Sequence, residues 1–174
     1  MKQVVPLTIT SGMSQTGSYI LTLCEPESGR QVPIVIGEHE ASAILLAQSH
    51  TPTRRPTTHE TMKGVMQAFD LTLAKVSIDR MEDGIFYATL HLNDGFNTKT
   101  VDSRSSDAVA LAMLCDKPIE MAESIIEQCG VKAEPRSVKQ PTAEQLEAEL
   151  QRCIEEEDYE RAAELQAKIE RLRS

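Results

Sequence analysis

Arg104-Ser105-Ser106-Asp107-Ala108-Val109-Ala110-Leu111-Ala112-Met113-Leu114-Cys115 is the stretch on which the fold turns. Four polar residues lead into eight consecutive apolar ones, so a helix here has no face to offer water and belongs inside a domain. Serine is the expected cap, and Asp107 stands in the first turn, where the helix dipole favours an anion. Outward from this helix the pattern changes to period two. Residues 97–102 read as a strand reached from the Asp94-Gly95 turn, and residues 73–80 and 85–92 pair through Asp83-Gly84. In the second of these, Phe86, Ala88, Leu90 and Leu92 alternate with Tyr87, Thr89 and His91.

Further upstream, Val5, Leu7 and Ile9, then Tyr19, Leu21 and Leu23, also alternate with polar neighbours. Val32-Pro33-Ile34-Val35-Ile36 is almost wholly apolar, which predicts a strand buried on both faces. Residues 38–48 predict a second helix that is apolar nearly all round and therefore internal. Thr57 and Glu60 form a capping box for a third helix, and Met62, Val65, Met66 and Phe69 give it one buried face. A short segment at 118–121 and a helix at 122–129 complete the pattern. The fold class is therefore α+β, a mainly antiparallel sheet around buried helices, followed by a C-terminal helical hairpin. The divisions are a domain at 1–135, a linker at 136–141 and a hairpin at 142–174.

The 174 residues carry 18 basic and 27 acidic side chains, a net charge of −9, which excludes wholesale adhesion to a phosphate backbone. Aromatic residues are only 3% and tryptophan is absent, so an extended base-stacking platform is excluded as well. No apolar run is long enough for a membrane helix and no secretory signal is evident, and the four cysteines form no C-x-x-C pair. Reduced thiols and a cytoplasmic location are the expectation. Few aromatic core residues and uncovered apolar stripes predict a homodimer or higher homo-oligomer.

Beyond the linker the chain is acidic, with ten acidic against five basic residues from 141 to 174. Leu146, Leu150, Cys153 and Ile154 make one stripe, and Ala162, Leu165, Ile169 and Leu172 another, separated by Glu155-Glu156-Glu157-Asp158. Two such short helices need a partner to cover their apolar faces.

Phosphodiester chemistry requires an activated nucleophile, a group to neutralise phosphorane charge and a proton for the leaving oxygen. Glu38, Glu40, Asp102 and Asp107 are the carboxylates on offer. His39 and His59 are the acid/base candidates, and Arg54, Arg55 and Arg104 the phosphate clamps. Glu40, Asp102 and Asp107 are the candidate ligands for Mg²⁺ or Mn²⁺. Both apolar helices follow an apolar strand and open with acids, so convergence of their starts would gather these groups in one cleft. Such a cleft suits phosphodiester hydrolysis, with Glu40, His59, Asp102 and Asp107 as catalytic groups, or recognition of an anionic ligand by a non-catalytic adaptor.

Four blocks occur in order: Ile36-Gly37-Glu38-His39-Glu40-Ala41, Arg55-Pro56-Thr57-Thr58-His59, Asp83-Gly84-Ile85-Phe86-Tyr87-Ala88, and Asp102 through Ala112. Together they resemble the bifunctional nuclease domain family, whose motifs put characteristic polar residues at Glu40, Arg55, His59, Asp102, Arg104 and Asp107. The resemblance implies hydrolysis of RNA and DNA. The tail is similar to the UVR motif of excision-repair proteins and adaptors of bacterial proteolysis. Leu146, Leu150, Ile154, Tyr159, Leu165 and Ile169 carry that likeness, and Gln166-Ala167 departs from it. This implies a protein-docking hairpin. Truncation after Lys139 is expected to preserve the melting temperature of the main domain while abolishing capture of a protein partner; a large drop in melting temperature would place the tail's leucines in the main core.

Overall fold

A computed structural model describes residues 1–12 and 17–132. The chain divides into Met1–Ala133 and Glu134–Ser174, and every described residue belongs to the first unit. The expected linker at 136–141 and hairpin at 142–174, with Leu146, Leu150, Ile154, Tyr159, Leu165 and Ile169, lie outside the described residues.

The elements run β1 (Lys2–Ser11), β2 (Ser18–Cys24), β3 (Arg30–Gly37), α1 (Glu38–Ser49), α2 (Thr58–Ala68), β4 (Thr72–Glu82), β5 (Ile85–Asn93), β6 (Thr98–Arg104), α3 (Ser105–Leu114), β7 (Ile119–Met121), α4 (Glu123–Cys129) and β8 (Val131–Lys132). The strands form one sheet in the order β6-β5-β4-β7-β1-β2-β3-β8. Sequential strands pair as antiparallel neighbours, β1 with β2 with β3, and β4 with β5 with β6. The three-residue β7 inserts between the two groups, antiparallel to β1 but parallel to β4. The sheet is thus mixed but mainly antiparallel, as expected, with β4–β7 its one parallel pairing among the described residues. Its parallel pair has the long connection such pairing requires, through β5, β6 and α3.

The decisive helix behaves as its composition dictates. In α3, Ser105, Ser106 and every residue from Ala108 to Ala112 are buried. The core built around it takes Val4, Leu21, Leu23, Val32, Ile34, Val76, Ile78, Ala88 and Leu90 from the sheet and Ile44 from α1. The arms of the sheet approach one another closely enough for Ile36 and Gly37 of β3 and Gly84 to Phe86 of the β4–β5 hairpin to line one cavity with Arg104 to Ser106. Among the described residues no helix is long and apolar enough to cross a membrane.

Several burial expectations are corrected. Val32, Ile34 and Ile36 are buried, but Pro33 is exposed and Val35 is 73% exposed, so β3 is covered on one face only. In α1 the buried residues are Ala41, Ile44 and Ala47, while Leu45 and Leu46 are exposed. In α2 only Met66 is buried, and Phe69 is 73% exposed. The reason is shared. Residues alternate between buried and exposed along β3, α1 packs on α3, β2 and β3, and α2 packs on α3, so each meets the core along one face only. The capping box of α2 is present, with Thr57 N–H donating to Glu60 Oε2 at 2.6 Å and Glu60 N–H to Thr57 Oγ1 at 3.4 Å. The cap expected on α3 is not: the N-cap position is Arg104, with no side-chain cap bond, and both serines lie inside the helix.

Leu111 is completely buried in α3, so Leu111→Ala should lower unfolding free energy by about 2–5 kcal/mol, read from urea transitions. A loss under about 1 kcal/mol would contradict this placement of α3. A second expectation comes from the β5–β6 turn. Asp94 Oδ1 accepts the backbone N–H groups of Asn97 at 2.7 Å and Phe96 at 3.0 Å. These bonds, aided by Lys99, lower its pKa to about 2. Below about pH 4 the unfolded chain takes up a proton that native Asp94 refuses until about pH 2, so its stabilisation fades as pH falls through that window. Asp94→Asn should therefore flatten the acid limb of stability against pH, and an unchanged slope would contradict it.

Candidate active site

The start of a buried helix must be anchored by groups that reach solvent, and here Arg104 and Asp107 are those groups. Arg104 closes β6 as its side chain turns toward α3, donating from Nε to Asp107 Oδ2 at 2.7 Å and from Nη2 to Asp107 Oδ1 at 3.3 Å. From Nη1 it donates to Glu40 Oε1 of α1 at 2.9 Å. Asp107 Oδ1 also accepts from His59 Nε2 of α2 at 3.2 Å. Four side chains from the starts of three helices thus make one hydrogen-bonded chain, Glu40–Arg104–Asp107–His59.

Burial differs along it. The imidazole of His59 is 12% exposed, Glu40 and Asp107 are 21% and 26%, and the guanidinium-bearing side chain is 67%. The hydrogen bond and charge of Asp107, then those of Glu40, hold the Arg104 pKa above its ordinary value. Three of its five N–H donors are used, leaving two for a ligand. A groove of about 320 Å³ lies over the chain, lined by His39, Ser42, Leu46 and Thr58 as well as the four charged or titratable groups. His59 also faces a second cavity of about 200 Å³ beside Leu46, Thr53 and Lys63.

The structure therefore brings together Glu40, His59, Arg104 and Asp107 of the expected site residues, with His39 on the rim. Asp102 is not among them. It lies mid-strand on β6 opposite Thr89 and lines none of these cavities. Arg54 and Arg55 sit exposed in the loop before α2, and their guanidinium groups bond to no described residue. That loop is nonetheless anchored, because Thr53 Oγ1 donates to Glu60 Oε2 at 2.8 Å. The backbone N–H of Thr57, with this hydroxyl, lowers the Glu60 pKa.

Sequence reasoning passed over Gly37. A Cβ at this position would stand 2.5 Å from Glu40 Oε2, so a larger residue would shift the end of that flexible side chain from its present place. The signal was present, a glycine directly before the first acidic turn, but its meaning depends on where Glu40 points.

The donor set does not fit a resident Mg²⁺ or Mn²⁺ held by Glu40, Asp102 and Asp107. Among the described residues no three His, Cys, Asp or Glu side chains converge as a cation site. Glu40 and Asp107 are instead joined by a guanidinium, whose positive charge occupies the space between them.

Residues 21–134 match the model of the bifunctional nuclease domain, and residues 143–174 match the UvrB/uvrC motif. An uncharacterized protein of Mycobacterium tuberculosis is 32% identical over 136 residues, covering 78% of this chain and 81% of that protein. Bifunctional nuclease 1 of Oryza sativa subsp. japonica is 28% identical over 126 residues, 71% of this chain but 37% of the plant protein. Bifunctional nuclease 2 of Arabidopsis thaliana is 23% identical over 118 residues, 66% and 36% of the two chains. All four linked side chains fall inside the matched region, and the chain belongs to the bifunctional nuclease domain family.

Proposed function

We propose that the chain cleaves phosphodiester bonds of nucleic acid in the groove above Glu40, Arg104, Asp107 and His59. The observation that carries this reading is the hydrogen bond from His59 Nε2 to Asp107, with Arg104 on the same carboxylate. A carboxylate that accepts from one ring nitrogen fixes the imidazole, leaving Nδ1 to exchange a proton with a reacting oxygen. The two unused N–H groups of Arg104 supply charge-assisted donors to a phosphate. Exposure of the guanidinium lets a strand reach it without the fold opening. Arg54 and Arg55 lie in the loop before α2 and would hold the flanking backbone.

A net charge of −9 makes this a site of local rather than global attraction, so binding should weaken only modestly with salt. The UVR segment at 143–174 would bring a protein partner to the enzyme rather than contact substrate, since acidic residues repel phosphates.

His59→Ala should lower cleavage of single-stranded oligonucleotides by about 10²- to 10⁴-fold while leaving the circular dichroism unchanged. Asp107→Asn should fall in the same direction. Cleavage that co-purifies with the chain but is indifferent to both substitutions would assign the activity to a contaminant and the groove to ligand binding.

A further inference from the structure

The strand β6 ends the sheet. All seven of its residues pair with β5, and among the described residues nothing pairs with its other edge. Six of the seven side chains are exposed, and Ser103 is half-buried. The β5–β6 register runs without a shift, whereas β1–β2 and β4–β5 both carry irregularities. A regular edge without proline is a template for another strand, and proteins usually guard such edges with charge. Here two of the three charges are already engaged at home. Lys99 Nζ lies 3.1 Å from Asp94 Oδ2, and Arg104 is held by Asp107 and Glu40.

The sequence of the strand says which partner fits. In an antiparallel pairing of β6 with itself about Val101, Val101 meets Val101 and Thr100 meets Asp102. Lys99 then meets Ser103, and Thr98 meets Arg104. All seven residues find partners, and no like charges stand opposite. Centring on Lys99 or on Asp102 would oppose two identical charges, and centring on Thr100 would leave Ser103 and Arg104 beyond the other strand's start. The global charge agrees. Copies with a net charge of −9 repel one another, but β6 itself carries two bases and one acid.

A second observation points to the same partner. Phe96 is 95% exposed, one of three phenylalanines in the chain. Its turn is rigid, because Asp94 Oδ1 accepts from the backbone N–H groups of Phe96 and Asn97. The two-fold through Val101 carries this turn past the end of the other copy's β6, with Phe96 in register with Ser106. There a cavity of about 270 Å³ opens, lined by Ile36, Ile85, Phe86 and Ser105 among others. A preorganised aromatic beside an apolar recess is the kind of anchor on which interfaces depend.

We propose that the chain forms a homodimer by antiparallel pairing of β6 about Val101, with Phe96 of each copy seated against the start of α3 in the other. The sheet continues from one chain into the next. The two Arg104 residues then stand six residues apart along the paired strands, roughly 20 Å.

The test is light scattering and sedimentation of the full chain at micromolar concentration. Wild type should have twice the 19.3 kDa mass of one chain. Phe96→Ser should raise the dimer dissociation constant at least about tenfold with unchanged circular dichroism, since the exposed ring holds no monomer core together. Thr100→Asp, which sets carboxylates opposite one another twice, should weaken the dimer by about tenfold, whereas Thr100→Lys should leave it as tight or tighter. A monomer would overturn the proposal. So would a dimer indifferent to Phe96→Ser, which would place the contact elsewhere in the chain, such as residues 134–174. Equal effects of the two Thr100 substitutions would overturn the pairing about Val101.

Discussion

A helix without a polar face can be buried only if its ends solve their own electrostatics, and that constraint organises this domain. From Ala108 to Ala112, α3 presents nothing that water can solvate, so the sheet and α1 close over it. Its first turn still carries free N–H groups and the positive end of the dipole. Asp107 provides the countercharge, and Arg104, the last residue of β6, closes onto that carboxylate. The site is where the buried helix meets solvent.

From this follows a division of labour. Apolar burial holds the elements together. The polar chain sets positions: exposed ion pairs such as Arg104 with Glu40 contribute on the order of 0–1 kcal/mol to stability. Their value is that three helix starts, far apart in sequence, present one oriented set of groups. Glu40 also depends on its neighbour, because any residue larger than glycine at position 37 would displace its carboxylate.

The sequence made some of this legible and hid the rest for physical reasons. An eight-residue apolar run admits one environment, so α3 was readable, and the Asp83-Gly84 turn and Thr57–Glu60 box are local and were readable too. Periodicity reports which residues share a face but not whether anything covers it. Val35, Val65 and Phe69 keep the spacing of core residues yet remain exposed, and Met66 is the buried residue of α2. The parallel β4–β7 pair rests on three residues and a long-range contact that no local pattern encodes. In the site, acids at two helix starts are legible in the sequence, and the structure joins Glu40 and Asp107 of those starts through Arg104. The distinction between Asp107 and Asp102 depends on where β6 ends and α3 begins, and Asp102 was left on the strand.

His59 is held by Asp107 through Nε2. The most direct measurement is the long-range ¹H–¹⁵N spectrum of the histidine rings at alkaline pH, where the neutral tautomers are distinguishable. The expected result is the His59 proton on Nε2 and a change in its tautomer balance in Asp107→Ala. A proton resident on Nδ1, or a ring indifferent to loss of the carboxylate, would contradict it.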